Sequence, residues 1–484
     1  MRAIIYICVT VLLSGLSLNS QTVTVSPNIS IRNTVSYNIV GRIEDRILFF
    51  KEKGQERSVL LYDNDLVYQS ERQINLDEKR CFLYEVSNLD TAFAISYGYR
   101  YEGEDIIKLD IFDQGAVRTD SVVITRREKK FKGLNFESIS SEDESVLALY
   151  SIDDKNKIRV ITIDLHKKEL INDQDYVFAN SNLFDDVYDL KIDNEGFFYM
   201  LTQVNNFKNS KKNHTASLFV FSKAQNAVEE IVIPLQDIVC QDLFLSINNQ
   251  QKLIGIAGLY DEKRQDESTG YFWLAGDRST LSAASFELTP FANELYFELY
   301  GNKHRGRMEN FKVSEVIWKQ DASALIAFEV AYDVNRRSGN GLGFALNTPA
   351  GSPNSLGGNG AWSDHYRDDL VLISLDKDVQ EEWYQVFYKK QFSQNDNGIF
   401  SSFFPFLTPS RLRLIYNDEI KSNSTVSEYI LDGNGNYKRS SVLSTEYQDL
   451  KLRFADARQI SSSELIVPSQ KSFTVNIVKI DFLK

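Results

Sequence analysis

The chain has 484 residues, 43% of them hydrophobic and 25% charged, enough to bury either several domains or one large repeat array. Lys and Arg number 54 against 67 Asp and Glu, a formal net charge of −13. That balance speaks against nucleic acid, whose phosphates reward a basic face, and against anionic membrane surfaces.

Residues 1–20 read as an export leader. Arg2 precedes an apolar run, Ile4–Leu18, too short to span a bilayer comfortably, and Gln21 follows a plausible cleavage point. A short N-terminal anchor is the competing reading. No later apolar run approaches the length of a membrane helix, so no membrane span is expected in the mature chain. Of the three cysteines, Cys8 lies in the leader. Cys81 and Cys240 stand in apolar runs and read as buried apolar side chains, with a bridge between them as the alternative.

Beyond the leader the periodicity is of the strand kind, with short runs of Val, Ile, Leu, Phe and Tyr broken by Asp, Asn, Ser and Gly. A polar turn followed by a nearly continuous apolar strand recurs at 43–50, 88–97, 140–150, 192–201, 247–258, 319–328, 408–416 and 461–467. Each copy leads to a second strand, usually closing on an acidic turn, at 58–65, 106–113, 158–165, 216–223, 270–277, 370–378, 427–436 and 474–482. Strands apolar at every position are buried on both faces, which argues against an outer-membrane barrel. Short strands recurring at steps of about fifty residues are the signature of propeller blades.

The expectation is therefore an all-β, single-domain β-propeller over residues 21–484, with eight blades and seven as the alternative. The spare strand within 22–31 would complete the last sheet and close the ring. A pair of β-sandwich domains is the competing architecture.

Two segments break the repeat. Residues 291–313 carry Lys303, His304, Arg305 and Arg307 and read as a solvated connector. The Gly-rich stretch 333–367 reads as a blade hairpin whose loop has expanded.

Motifs that license a mechanism are missing: no Gly-x-Ser-x-Gly, no His-Glu-x-x-His, no Gly-Lys-Ser/Thr phosphate loop. His166, His214, His304 and His365 are scattered, without metal-ligand spacing. Asp432-Gly433-Asn434-Gly435-Asn436 lacks the sixth-position glycine and twelfth-position Glu of a calcium loop and reads as a hairpin turn. No catalytic residue, metal or cofactor is assigned, and whether the chain is an enzyme stays open. Asn28, Asn213 and Asn423 head glycosylation sequons. The candidate ligand-binding group lies at the exit of the expanded loop: Trp362, Asp364, His365, Tyr366, Asp368 and Asp369. Aromatic rings stack on the apolar faces of sugars while carboxylates take their hydroxyls, and paired carboxylates at a suitable separation also cleave glycosides. The plain structural alternative is that Asp368-Asp369 only closes a loop.

The run Tyr366-Arg367-Asp368-Asp369-LVLISLDKD, with Trp383, Lys389-Lys390-Gln391 and Asn395-Asp396-Asn397-Gly398 before Ser401-Ser402, resembles an uncharacterised family of exported bacterial propeller-like proteins. The turn-strand copies also look loosely like blades of TolB-type or WD40-like propellers. The resemblance implies export to the bacterial envelope (periplasm, outer-membrane surface or outside the cell) and no activity. The leading expectation is a non-catalytic propeller that binds a protein or glycan partner there. The alternatives are a polysaccharide-acting hydrolase or lyase with carboxylates at the channel mouth, and a structural subunit of an envelope complex.

Overall fold

The computed structural model describes residues 21–482 apart from 33–34, 129–132, 180, 205–213, 223–226, 236–237, 263–266, 282–285, 304–305, 338–360, 421–424, 444–446 and 448. Residues 1–20, where a leader is expected, and 338–360 of the Gly-rich stretch therefore lie outside the described residues. Eight antiparallel sheets of four or more strands follow one another along the chain. We number them as blades 1–8 and letter their strands a to d. Blades 1–7 cover 35–73, 82–128, 137–177, 187–233, 239–290, 311–394 and 404–441. Blade 8 combines 458–481 with the strand Thr22–Val25 from the other end of the chain.

Strands a of successive blades contact one another from blade 1 to blade 6, so the a strands face the axis. Burial grades outwards from there. The b strands are sealed, as at Ile47–Phe49 and Leu465–Val467, whereas the d strands Tyr68–Gln73 and Tyr437–Ser441 are mostly exposed. Eight apolar clusters fill the eight gaps between neighbouring blades. One joins Ile39, Phe49 and Tyr62 of blade 1 to Ile466, Val475 and Ile477 of blade 8, and another joins Ile415 and Val426 of blade 7 to Val467 and Val478 of blade 8. The molecule is an eight-bladed β-propeller, and the two-sandwich alternative falls with this pairing of first blade with last.

Closure uses the spare strand. Thr22–Val25 pairs antiparallel with Thr474–Asp481, in register from Thr22 opposite Asp481 to Val25 opposite Val478. Ile29 and Ile31 then enter the cluster between blades 8 and 1. Strand a of blade 8 is only Arg458–Gln459, which is why the last copy of the repeat looks least regular in sequence.

Four of the acidic turns share one geometry. Asp63, Asp113, Asp376 and Asp432 end c strands, and each carboxylate accepts the backbone N–H groups two and four residues on. The residue three on is left-handed in each case: Leu66, Ala116, Val379 and Gly435. The aspartate is an internal staple for the c–d hairpin, and at Asp432 this is the hairpin turn that the sequence predicts. Gly435 has a further reason to be glycine, since a Cβ there would come within 2.7 Å of the Trp383 ring.

Segment 291–313 is more than a connector. It holds the helix Asn293–Tyr300 and sends Phe291, Leu295, Tyr296, Met308 and Phe311 into the core between blades 5 and 6. Arg307 pairs with Asp261 and Glu267. Cys81 and Cys240 are both free thiols, in different blades.

Deleting residues 21–31 removes the outer strand of blade 8 and uncovers the edge of Thr474–Asp481. The melting temperature should fall by about 10 °C, or the protein should aggregate through the freed edge. An unchanged thermal unfolding curve would contradict closure by this strand.

Candidate functional site

In blade 6 the repeat is extended rather than merely interrupted by a loop. Strands b and c, Ala324–Arg337 and Ala361–Leu375, run on past the sheet and stay paired from Ala331 opposite Arg367 to Arg337 opposite Ala361. The described residues of 333–367, namely 333–337 and 361–367, are therefore all strand. Gln391–Gln394, continuing from strand d, pairs with the extended c strand from Asp364 opposite Gln394 to Arg367 opposite Gln391. The result is a three-stranded projection at the b–c end of the blade. The a–b turns lie at the opposite end.

Tyr332, Tyr366 and Phe392 are direct cross-strand neighbours on this projection. Tyr332 stacks on Tyr366 with ring centroids 4.7 Å apart and planes 10° apart, and Tyr366 meets Phe392 at 5.1 Å. All three rings remain partly exposed. Asp364 lies beside this ladder, its Oδ1 accepting from Gln394 Nε2 at 2.7 Å. The Asp368 carboxyl is raised by burial, against the opposing charges of Lys389 and Lys390, and its Oδ1 has no hydrogen-bond partner. Its charge also helps burial raise the Tyr332 hydroxyl.

His365 points the other way, as strand alternation requires. Its Nδ1 lies 2.8 Å from Asp333 Oδ1, which Arg367 also approaches at 3.0 Å. Burial disfavours the Asp333 carboxylate, but the hydrogen bonds from His365 and Arg367 prevail and hold it below the usual range. Asp369 turns to a groove of about 460 Å³ between blades 6 and 7, lined by Tyr388, Lys390, Asp418, Thr425 and Arg439. Burial raises its carboxyl, against the N–H of Lys389. The sequence-predicted group is thus divided: Asp364, Tyr366 and Asp368 at the ladder, His365 on the opposite face, Asp369 in the groove. Trp362 lies in the extended c strand, but its side chain is outside the described residues.

At the base of the projection sits a buried ion pair. The Lys389 ammonium is fully enclosed and bonds Glu329 Oε1 at 2.6 Å, the Arg367 carbonyl at 2.9 Å and Gln391 Oε1 at 2.8 Å. Gln391 donates on to the carbonyls of Ser402 and Asn417, and Asn417 to those of Phe400 and Leu452. Every donor finds an acceptor, so the network is rigid and ties blade 6 to blade 7. Burial pushes the Lys389 ammonium down while Glu329 pulls it back.

The central channel is a second place to look. The a strands of blades 2, 4, 5 and 6 each carry a register shift followed by an acid: Glu85, Asp189, Asp242 and Glu315. Burial raises all four carboxyls. Three of them bridge neighbouring blades, while Glu315 accepts from the N–H of Val316 in its own strand. Glu85 accepts from the Ser138 hydroxyl at 3.0 Å, Asp189 from the Leu245 N–H at 3.4 Å, and Asp242 from the Val313 N–H at 2.7 Å and from the Tyr188 hydroxyl. At the a–b end a polar cavity of about 860 Å³ is walled by blades 8, 1, 2 and 3, and the Arg458–Glu144 ion pair crosses it. None of the four raised carboxylates lines that cavity. Among the described residues no group of His, Cys, Asp and Glu is placed to hold a metal ion.

Tyr332, Phe392, Tyr388 and Lys390 escape a reading centred on the loop exit: Tyr332 lies in the facing b strand, Phe392 in a strand that the repeat does not predict, and Tyr388 and Lys390 in the connection before it. The inner-strand acids carry a signal in the recurring pattern of an acid inside an otherwise apolar first strand.

No protein-family model matches the chain, and no curated protein matches it. Solved structures do. A prolyl endopeptidase aligns at 12% identity over 83% of this chain with a TM-score of 0.36; the chain spans only 47% of that enzyme's length. The β-propeller domain of the Trilobed protease from Pyrococcus furiosus aligns at 9% identity, covering 88% of this chain and 97% of that one, with a TM-score of 0.36. An oligogalacturonate lyase in complex with manganese aligns at 8% identity over 94% and 98% of the two chains, with a TM-score of 0.37. Likeness at this level says nothing about activity.

Two substitutions test these arrangements. Lys389→Ala strands the Glu329 carboxylate and should cost about 3–5 kcal/mol, whereas Lys389→Met with Glu329→Gln should recover most of it, read as melting temperatures. For Asp242, a raised folded-state pKa means that native stability declines as pH rises from the ordinary Asp range through the raised value. Asp242→Asn is free of that penalty. Its melting temperature should gain on the wild type between about pH 4 and pH 8, and a gap that shrinks with rising pH would contradict the raised carboxyl.

Proposed function

We propose that the chain is an exported, non-catalytic propeller that binds a glycan in the bacterial envelope through the blade 6 projection. The observation that carries this is the in-register ladder Tyr332–Tyr366–Phe392 with Asp364 and Asp368 at its margins. Partly exposed rings offer apolar area with little side-chain freedom to lose, and they match the apolar faces of sugar rings. The partly exposed Asp368 carboxylate accepts from hydroxyls, while the buried Asp364 is held by Gln394. The export leader and the family resemblance support the compartment. Acidic polymers of high charge density are disfavoured by the net charge of −13.

A hydrolase or lyase is the second reading. It rests on Asp368 and Asp369, adjacent carboxyls that burial raises and that would serve as acid and base. Cleavage of a bound glycan by the wild type, lost in Asp368→Asn, would decide for it.

The binding test uses purified envelope polysaccharides and a panel of neutral, amino-sugar and uronic-acid glycans. Tyr366→Ala and Phe392→Ala should each weaken the retained glycan about ten-fold or more at unchanged melting temperature. Recovery of a stoichiometric protein and no glycan from the native envelope would replace this reading with a protein partner.

A further inference from the structure

The segment that leaves blade 6 alternates over seven residues. Lys389, Gln391 and Ser393 are buried, while Tyr388, Lys390 and Gln394 are exposed and Phe392 is partly so. Period two is the mark of an extended strand with one face inward. The inward face is the Lys389–Gln391 network described above, which fixes which side chains look out. The outward face is therefore one row: Tyr388, Lys390, Phe392, Gln394. At about 3.3 Å per residue it is roughly 20 Å long.

This row joins two features that sit apart in the contact pattern. Phe392 is the third rung of the ladder and Gln394 holds Asp364. Tyr388 and Lys390 line the groove of about 460 Å³ between blades 6 and 7. The groove offers a carboxylate at Asp369, a hydroxyl at Thr425, an ammonium at Lys390 and an aromatic wall at Tyr388. Lys389 is taken up by Glu329, and Arg439 by both oxygens of Asp418 at 2.8 Å. Donors and acceptors thus alternate beside a ring, which suits a polyhydroxylated ligand better than an anion or a hydrophobic peptide.

Resting on the glycan reading above, we infer that the site takes a linear oligosaccharide lying along Tyr388–Gln394, with separate subsites at the groove and at the ladder. The row is long enough for about four sugar units at roughly 5 Å each. A monosaccharide or a compact protein epitope would use only one end of it. Binding energy then accumulates along the chain, so affinity depends on ligand length.

The test titrates full-length mature protein by calorimetry with oligomers of two and six residues, prepared from whichever panel glycan is retained. The hexamer should bind at least ten-fold more tightly than the dimer. Tyr388→Ala with Lys390→Ala should abolish that advantage at unchanged melting temperature. Both side chains are exposed, so their loss does not threaten the fold. Equal affinity for dimer and hexamer, or full hexamer affinity in the double variant, would overturn the two-subsite row while leaving glycan binding intact. If neither the polysaccharides nor the oligomers bind, the glycan reading itself fails and takes this inference with it.

Discussion

The b strands of every blade, and most of the c strands, are buried and largely apolar on both faces, and a sheet with two apolar faces has to be covered on both sides. A stack of such sheets is never finished in a line, because its end sheets keep one greasy face each. Bending the stack into a ring removes the ends. Eight inter-blade clusters, one of them between first blade and last, are the consequence. The cost is topological: the two ends of the chain must meet in one sheet. Thr22–Val25 meets that demand with four backbone pairs, and Ile29 and Ile31 add apolar burial next to it.

This constraint explains why the fold was legible in sequence while the site was only partly so. Sealed b strands such as Phe93–Tyr97 and the aspartates that staple c–d turns recur because each blade solves the same packing problem. Repetition makes them visible, down to the spare strand at 22–31. The site has no such redundancy. The residues from Asp364 to Asp369 could be singled out as aromatic and acidic neighbours, but their division between the ladder, the opposite face and the groove depends on pairing with Tyr332 and Phe392. Those partners lie 34 and 26 residues from Tyr366 along the chain, and nothing local marks them. Likewise the group at 303–305 stands out by charge in sequence, yet the segment's structural weight rests on Phe291, Leu295 and Tyr296.

The inner-strand acids show the other side of repetition. Glu85, Asp189, Asp242 and Glu315 look like candidates for chemistry, since burial raises their carboxyls and they sit near a channel. Their partners point elsewhere. Glu85, Asp189 and Asp242 each accept from the neighbouring blade. A perturbed carboxylate in four blades at one structural position is more simply a building element than four copies of an active site.

The projection departs from the repeat, and its base is held by charge where the blades are held by apolar contact. Apolar side chains would pack there at less desolvation cost, since enclosing an ammonium and a carboxylate is expensive even when they pair. What an apolar base would not provide is register. Among the described residues no fourth strand lies beyond Gln391–Gln394, so a slip by one residue would keep most of its backbone pairing and invert every side chain. Lys389 would then face out and Lys390 in, with Phe392 turned away from Tyr366. The Lys389–Glu329 pair and the two carbonyls bonded by Gln391 admit only the observed register. A network of this kind is worth its desolvation where the outward row has to present particular side chains.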